Sequence, residues 1–178
     1  MNESLTELLK AHIKEFEDVR EASWEHPETR YQEFQSSRMQ IEFLKERGFR
    51  LTEEIAGIKT AFVAEAGEGK PVIAFLGEFD ALPGLSQYAD CPYENAIEEG
   101  KAGHGCGHNL LGTGAMEPAC VIKQYIEENN IKATVRYYGC PAEESGAGKA
   151  FMVREGCFDD VDFAYAWHPM FETGFMNK

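Results

Sequence analysis

The chain has 178 residues, 43% of them hydrophobic and 12% aromatic, which suits one domain with its own core and not a disordered segment. Its 17 Lys and Arg against 31 Asp and Glu leave a net charge of −14. That sign argues against a nucleic-acid partner and against docking on an anionic membrane, both of which need cations. No apolar run approaches the ~20 residues that span a bilayer, and Met1–Lys10 lacks the apolar centre of a secretion signal. An odd set of five cysteines, Cys91, Cys106, Cys120, Cys140 and Cys157, points to free thiols in a reducing, cytoplasmic compartment.

Apolar residues at helical spacing (Leu5, Leu8, Leu9, Ile13, Phe16, Val19, Trp24) predict a first helix over 5–24, ended by His26-Pro27. A second helix is expected over 33–47, with Gly48 as its stop. The period then changes. Residues 60–66 alternate as a strand, 67–70 read as a hairpin-like turn, and 71–76 (PVIAFL) form an apolar run expected of a strand buried on both faces. A glycine-rich loop around 100–107 leads to a helix over 109–128. Pro118 inside it predicts either a kink or two pieces. A strand over 132–138, a helix over 145–154 and a strand over 161–167 complete the pattern. Strands alternating with helices favour a sheet with parallel pairs and helices on its faces.

The polar residues that could carry chemistry follow these strands or precede these helices, where open α/β sheets place their sites. Glu78 and Asp80 lie just after 71–76 and could orient a ligand or bind a cation, although spacing alone favours an ordinary surface turn with two acids. His104, Cys106 and His108 interleave with three glycines at a helix start, where the helix dipole would favour a Cys106 thiolate. Glu143 and Glu144 follow 132–138; one could bind metal while its neighbour moves protons, and in isolation both also suit a helix's first turn. His168 follows the last strand. Cys106, His108, Glu144 and His168 together would offer a thiolate, two imidazoles and a carboxylate, a set that suits zinc, with manganese or cobalt possible. His12 and His26 fall in the N-terminal helical region and read as structural or solvent-exposed.

The segments GEFDALPGLSQ (77–87), GHGCGHNLLGTG (103–114), CPAEESGAGKAFMVREGCFDDVD (140–162) and AWHP (166–169) resemble, in content and order, the amidohydrolase branch of the M20 peptidase family. That resemblance implies a three-layer α/β/α zinc-exopeptidase-like catalytic domain with a mixed sheet flanked by helices. It implies a two-metal centre of zinc or manganese held by Cys106, His108, Glu144 and His168, with Glu143 as general base and Asp80 as a supporting acid. The implied substrates are small N-acyl amino acids, dipeptide-like molecules or amides of the aminobenzoyl-glutamate type, and the implied assembly is a homo-oligomer. Members of the family are longer than this chain. Residues 1–178 would therefore be the N-terminal part of the catalytic domain, without the dimerisation (lid) domain, the last strands and a late histidine ligand. A truncated, non-catalytic metal-binding fragment is the other reading of the same features.

Overall fold

A computed structural model describes residues 3–170. Helix α1 (Glu3–Glu25) ends ahead of Pro27, and α2 (Phe34–Glu46) stops before Gly48, whose φ of +79° suits glycine. Strand β1 (Arg50–Glu53), a single 3-10 turn (Ile55–Gly57), β2 (Phe62–Gly67) and β3 (Val72–Gly77) follow. After a long loop come α3 (His108–Glu128), β4 (Thr134–Gly139), the short kinked turn α4 (Glu143–Gly146), α5 (Gly148–Arg154) and β5 (Phe163–Tyr165).

The strands form one mixed sheet in the order β1-β2-β4-β3-β5. β4 runs parallel to β3, β3 parallel to β5, and β2 antiparallel to both β1 and β4. Alternation along each strand builds two cores. Phe62, Ala64, Val135 and Tyr137 face the side covered by α1, α2 and α3, where Phe16, Ile41, Leu44, Met116 and Ala119 are buried. Ala74, Tyr138 and Cys140 face the other side, against Met152 of α5. The result is the expected α/β arrangement with a mixed sheet and helices on both faces.

Three local expectations are corrected, and one strand is additional. Residues 67–70 do not close a hairpin, because β4 inserts between β2 and β3. β1 was not expected; three of its four residues are exposed, so it carries no apolar alternation to read. Helix 145–154 begins only at Gly148, since Ala142, Ser145 and Ala147 all adopt left-handed backbone and break the turn ahead of it. The expected strand 161–167 shrinks to three exposed residues at the sheet edge. Of the alternatives left open by Pro118, the helix is one continuous piece.

Because β3, β4 and β5 are parallel, their carboxyl ends lie at one end of the sheet. Glu78 and Asp80 follow β3, residues 140–144 follow β4, and Trp167-His168 follows β5. A parallel bridge between Thr29 and Ala81 and an antiparallel one between Leu82 and Gly103 pin the neighbouring loops to the same end.

Candidate metal centre

His108 is the first residue of α3, preceded by Gly107 in a left-handed conformation, and its side chain is 1% exposed. Its Nδ1 faces the Asp80 carbonyl at 2.9 Å and Asp80 Oδ1 at 3.0 Å. Both are acceptors, so Nδ1 carries the proton and donates. Nε2 is left buried without a hydrogen-bond partner; Glu78 Oε2 stands 3.2 Å away, within ion-pair distance but outside hydrogen-bond geometry. A carboxylate that fixes an imidazole while the other nitrogen points at unpartnered space is how proteins orient a metal-binding histidine.

Two groups of donors surround that nitrogen. In Cys106, His108 and His168, and again in Glu78, His108 and Glu143, one ligand atom per residue lies within 4.8 Å of the others. Cys106 Sγ is 3.2 Å from His168 Nε2, whose Nδ1 donates to the Pro169 carbonyl at 3.0 Å and so leaves the Nε2 lone pair facing the thiol. Glu144 belongs to neither group. Its backbone N–H donates to Asp80 Oδ2 at 2.8 Å, and its carboxylate adjoins Cys106 closely enough to perturb the thiol. Three of the four expected ligands therefore converge, with Glu144 beside them. Asp80 bonds the His108 imidazole and the Glu144 backbone, and Glu143 is exposed.

The charges follow from this crowding. Burial opposes the charged form of His108, yet Asp80, Glu78 and Glu144 outweigh it and hold the imidazole above its ordinary value. Burial would also raise Asp80, but His108 and the backbone N–H groups of Glu144 and Glu143 hold it below the usual carboxylate range. The expected Cys106 thiolate is corrected: burial, then the carboxylates of Glu144, Glu143 and Glu78, push the thiol up to about 11. Four acids within one site exceed what a helix N-terminus offsets. A divalent cation reverses that balance, because it is then the largest local charge. The orphaned Nε2 and the mixed sulfur, nitrogen and oxygen donors fit such a cation.

The sequence offers Glu78 as a possible cation-binding acid but gives no sign that it would stand beside His108 Nε2. Its position two residues before Asp80, beyond a buried strand, was the available signal of a role. Lys149 of α5 forms an ion pair with Glu78 and was not anticipated. His104 is buried behind the site, its Nε2 donating to the Ser23 carbonyl at 3.0 Å.

Residues 74–177 match the peptidase family M20/M25/M40. Over 173 residues the chain is 48% identical to a subunit of the p-aminobenzoyl-glutamate hydrolase of Escherichia coli (strain K12), covering 97% of this chain and 36% of that protein. It is 30% identical to the hippurate hydrolase of Campylobacter jejuni over 158 residues, 88% of this chain and 39% of the relative. The chain thus spans well under half the length of these curated relatives. Among solved structures, a Bacillus subtilis protein described as a dinuclear metal-binding peptidase of the M20 family superposes with a TM-score of 0.73 at 25% identity, over 90% of this chain and 44% of that one. An aminobenzoyl-glutamate utilization protein from Klebsiella pneumoniae shares the fold, with a TM-score of 0.66 at 21% identity over 92% of this chain and 45% of that one. With the family match extending over more than half of its residues, the chain belongs to the M20/M25/M40 peptidase family.

Proposed function

We propose that the chain is part of a metal-dependent amidohydrolase that cleaves the amide bond of N-acyl amino acids or aminobenzoyl-glutamate-like substrates. The observation that carries this reading is the buried, unpartnered Nε2 of His108, fixed by Asp80 and flanked by two groups of donors. In it, Cys106, His108, Glu144 and His168 would hold zinc or manganese, and Glu78 stands beside them as a further acid. When bound, the cation supplies Lewis acidity toward the scissile carbonyl and lowers the pKa of water. The chain's own residues do the rest. Glu143, which is exposed, accepts the proton of the attacking water and passes it to the leaving amine nitrogen. Asp80 keeps the His108 ring in one tautomer and orientation.

The names of the two curated relatives support the substrate class, and their length supports reading residues 1–178 as the N-terminal part of the catalytic domain. A homo-oligomer in the cytoplasm completes the proposal. Among the described residues no helix is long and apolar enough to cross a membrane.

The test is metal content by plasma emission on protein purified without a metal-affinity tag and reloaded with zinc or manganese. Stoichiometric metal that falls on Cys106→Ala is expected; a folded chain that takes up none overturns the reading. The second reading of the same donors is a metal site without turnover. Hydrolysis of aminobenzoyl-glutamate that disappears in Glu143→Ala, with metal retained, decides for the enzyme.

A further inference from the structure

We propose that Arg30 is the anion-recognition residue of this site and selects substrates with a carboxylate beside the scissile amide. The chain has seven arginines. Six pair with a carboxylate: Arg20, Arg38, Arg47, Arg50, Arg136 and Arg154. Arg30 is the exception among the described residues, although the chain carries an excess of acids. It lines a cleft of about 290 Å³ together with Thr29, Ala81, Pro83 and Glu144, so the unpaired cation and a residue of the metal centre share one cavity.

The backbone that presents Arg30 is tied down on both sides. Thr29 bridges to Ala81, the Ala81 N–H donates to the Glu28 carbonyl at 2.7 Å, and the Tyr31 hydroxyl donates to the Gly146 carbonyl at 2.6 Å. The Arg30 stem runs past Gly146, where a Cβ would stand 3.5 Å from Arg30 Cδ. Thr29 adds a hydroxyl that has no hydrogen-bond partner among the described residues. A planar guanidinium with a hydroxyl beside it binds a carboxylate through charge-assisted hydrogen bonds. The whole-chain charge of −14 repels an anionic substrate, so a local cation is what admits one. Glu144 lines the same cleft, and a cation bound at the neighbouring donors would offset its negative charge.

The substrate identity rests on the amidohydrolase reading; the anion site does not. The experiment titrates the zinc-loaded full chain with N-acetylglutamate and with its neutral diamide, followed by calorimetry and by the Arg30 Nε–H resonance. Wild type should bind the dicarboxylate and shift that resonance. Arg30→Met, which keeps the stem, should weaken binding about 10–100-fold, Arg30→Lys should retain part of it, and the diamide should not distinguish the proteins. Equal affinity in wild type and Arg30→Met, equal binding of acid and diamide, or no binding of the dicarboxylate to wild type overturns the proposal. Hydrolysis is measured separately. A chain with Arg30-dependent binding but no turnover fails the amidohydrolase reading alone, and turnover with Arg30-independent binding fails this one alone.

Discussion

Trp167 donates its indole N–H to the carbonyl of Leu111 at 3.1 Å, tying the segment that carries His168 to the helix that begins with His108. The contact is close: a Cβ on Gly114 would overlap the Trp167 ring. His168 itself is exposed, so its place beside Cys106 depends on its neighbour in sequence. Trp167→Ala is expected to lower zinc affinity about tenfold, the scale of losing a residue that orients a ligand. Trp167→Phe, which keeps a ring and loses the N–H, should fall between. A chromophoric chelator competition measures both, and unchanged affinity in the alanine variant would show that His168 is held by other means.

Asp80 makes more contacts at the site than any single ligand needs, bonding His108 with one oxygen and the Glu144 backbone with the other. Asp80→Asn keeps the shape but loses the charge and offers one oxygen where two accepted. Metal affinity should drop about 10–100-fold while circular dichroism stays native. A loss of fold instead would mark Asp80 as a structural residue.

Glu33 is fully buried, accepting from the Thr60 hydroxyl at 2.9 Å and the Ala142 N–H at 2.8 Å. Burial raises its pKa more than these hydrogen bonds lower it. Its contribution to stability is therefore full below the unfolded value of about 4.3 and is lost as pH rises through the raised folded value. Glu33→Gln should remove that component, so the difference in urea midpoint between variant and wild type shifts in the variant's favour as pH increases. A difference independent of pH contradicts this. Asp160, held low by Arg136, contributes with the opposite sign in both proteins and cancels in the comparison.

At Gly139, where β4 ends, a Cβ would overlap the ring of Phe62, itself fully buried. Gly139→Ala should cost about 1–3 kcal/mol by overpacking, read as a lower urea midpoint with an unchanged slope. The same substitution at exposed Gly57, with no atom near its Cβ, carries only the strain of its positive φ and serves as the control.

The site was legible largely because the chain repeats one device. Apolar runs end in polar residues three times, and parallel pairing of β3, β4 and β5 brings those ends together. Helix ends at Pro27 and Gly48 were legible for the same local reason, a residue that cannot continue the helix. What escaped depends on distant or weakly signalled partners. The insertion of β4 between β2 and β3 is decided by cross-strand packing between residues some 70 positions apart, such as Arg136 and Glu65. The left-handed Ala142, Ser145 and Ala147 carry none of the glycine or asparagine that advertises such backbone. The pull on the Cys106 thiol carried no local signal because the three carboxylates that raise it come from two different loops.

Cys106 and His168 meet across a separation of 62 positions in the chain, and the strands that carry the other donors join through crossovers. Such a constellation needs the finished sheet, since Glu78, Glu143 and His168 follow three different strands while Cys106 and His108 stand at the start of α3. A cation held there grips the finished sheet and not the route to it. Its kinetic signature should be a slower unfolding arm in the chevron with the refolding arm little changed: the ion acts as a latch on the native state, not a template for reaching it.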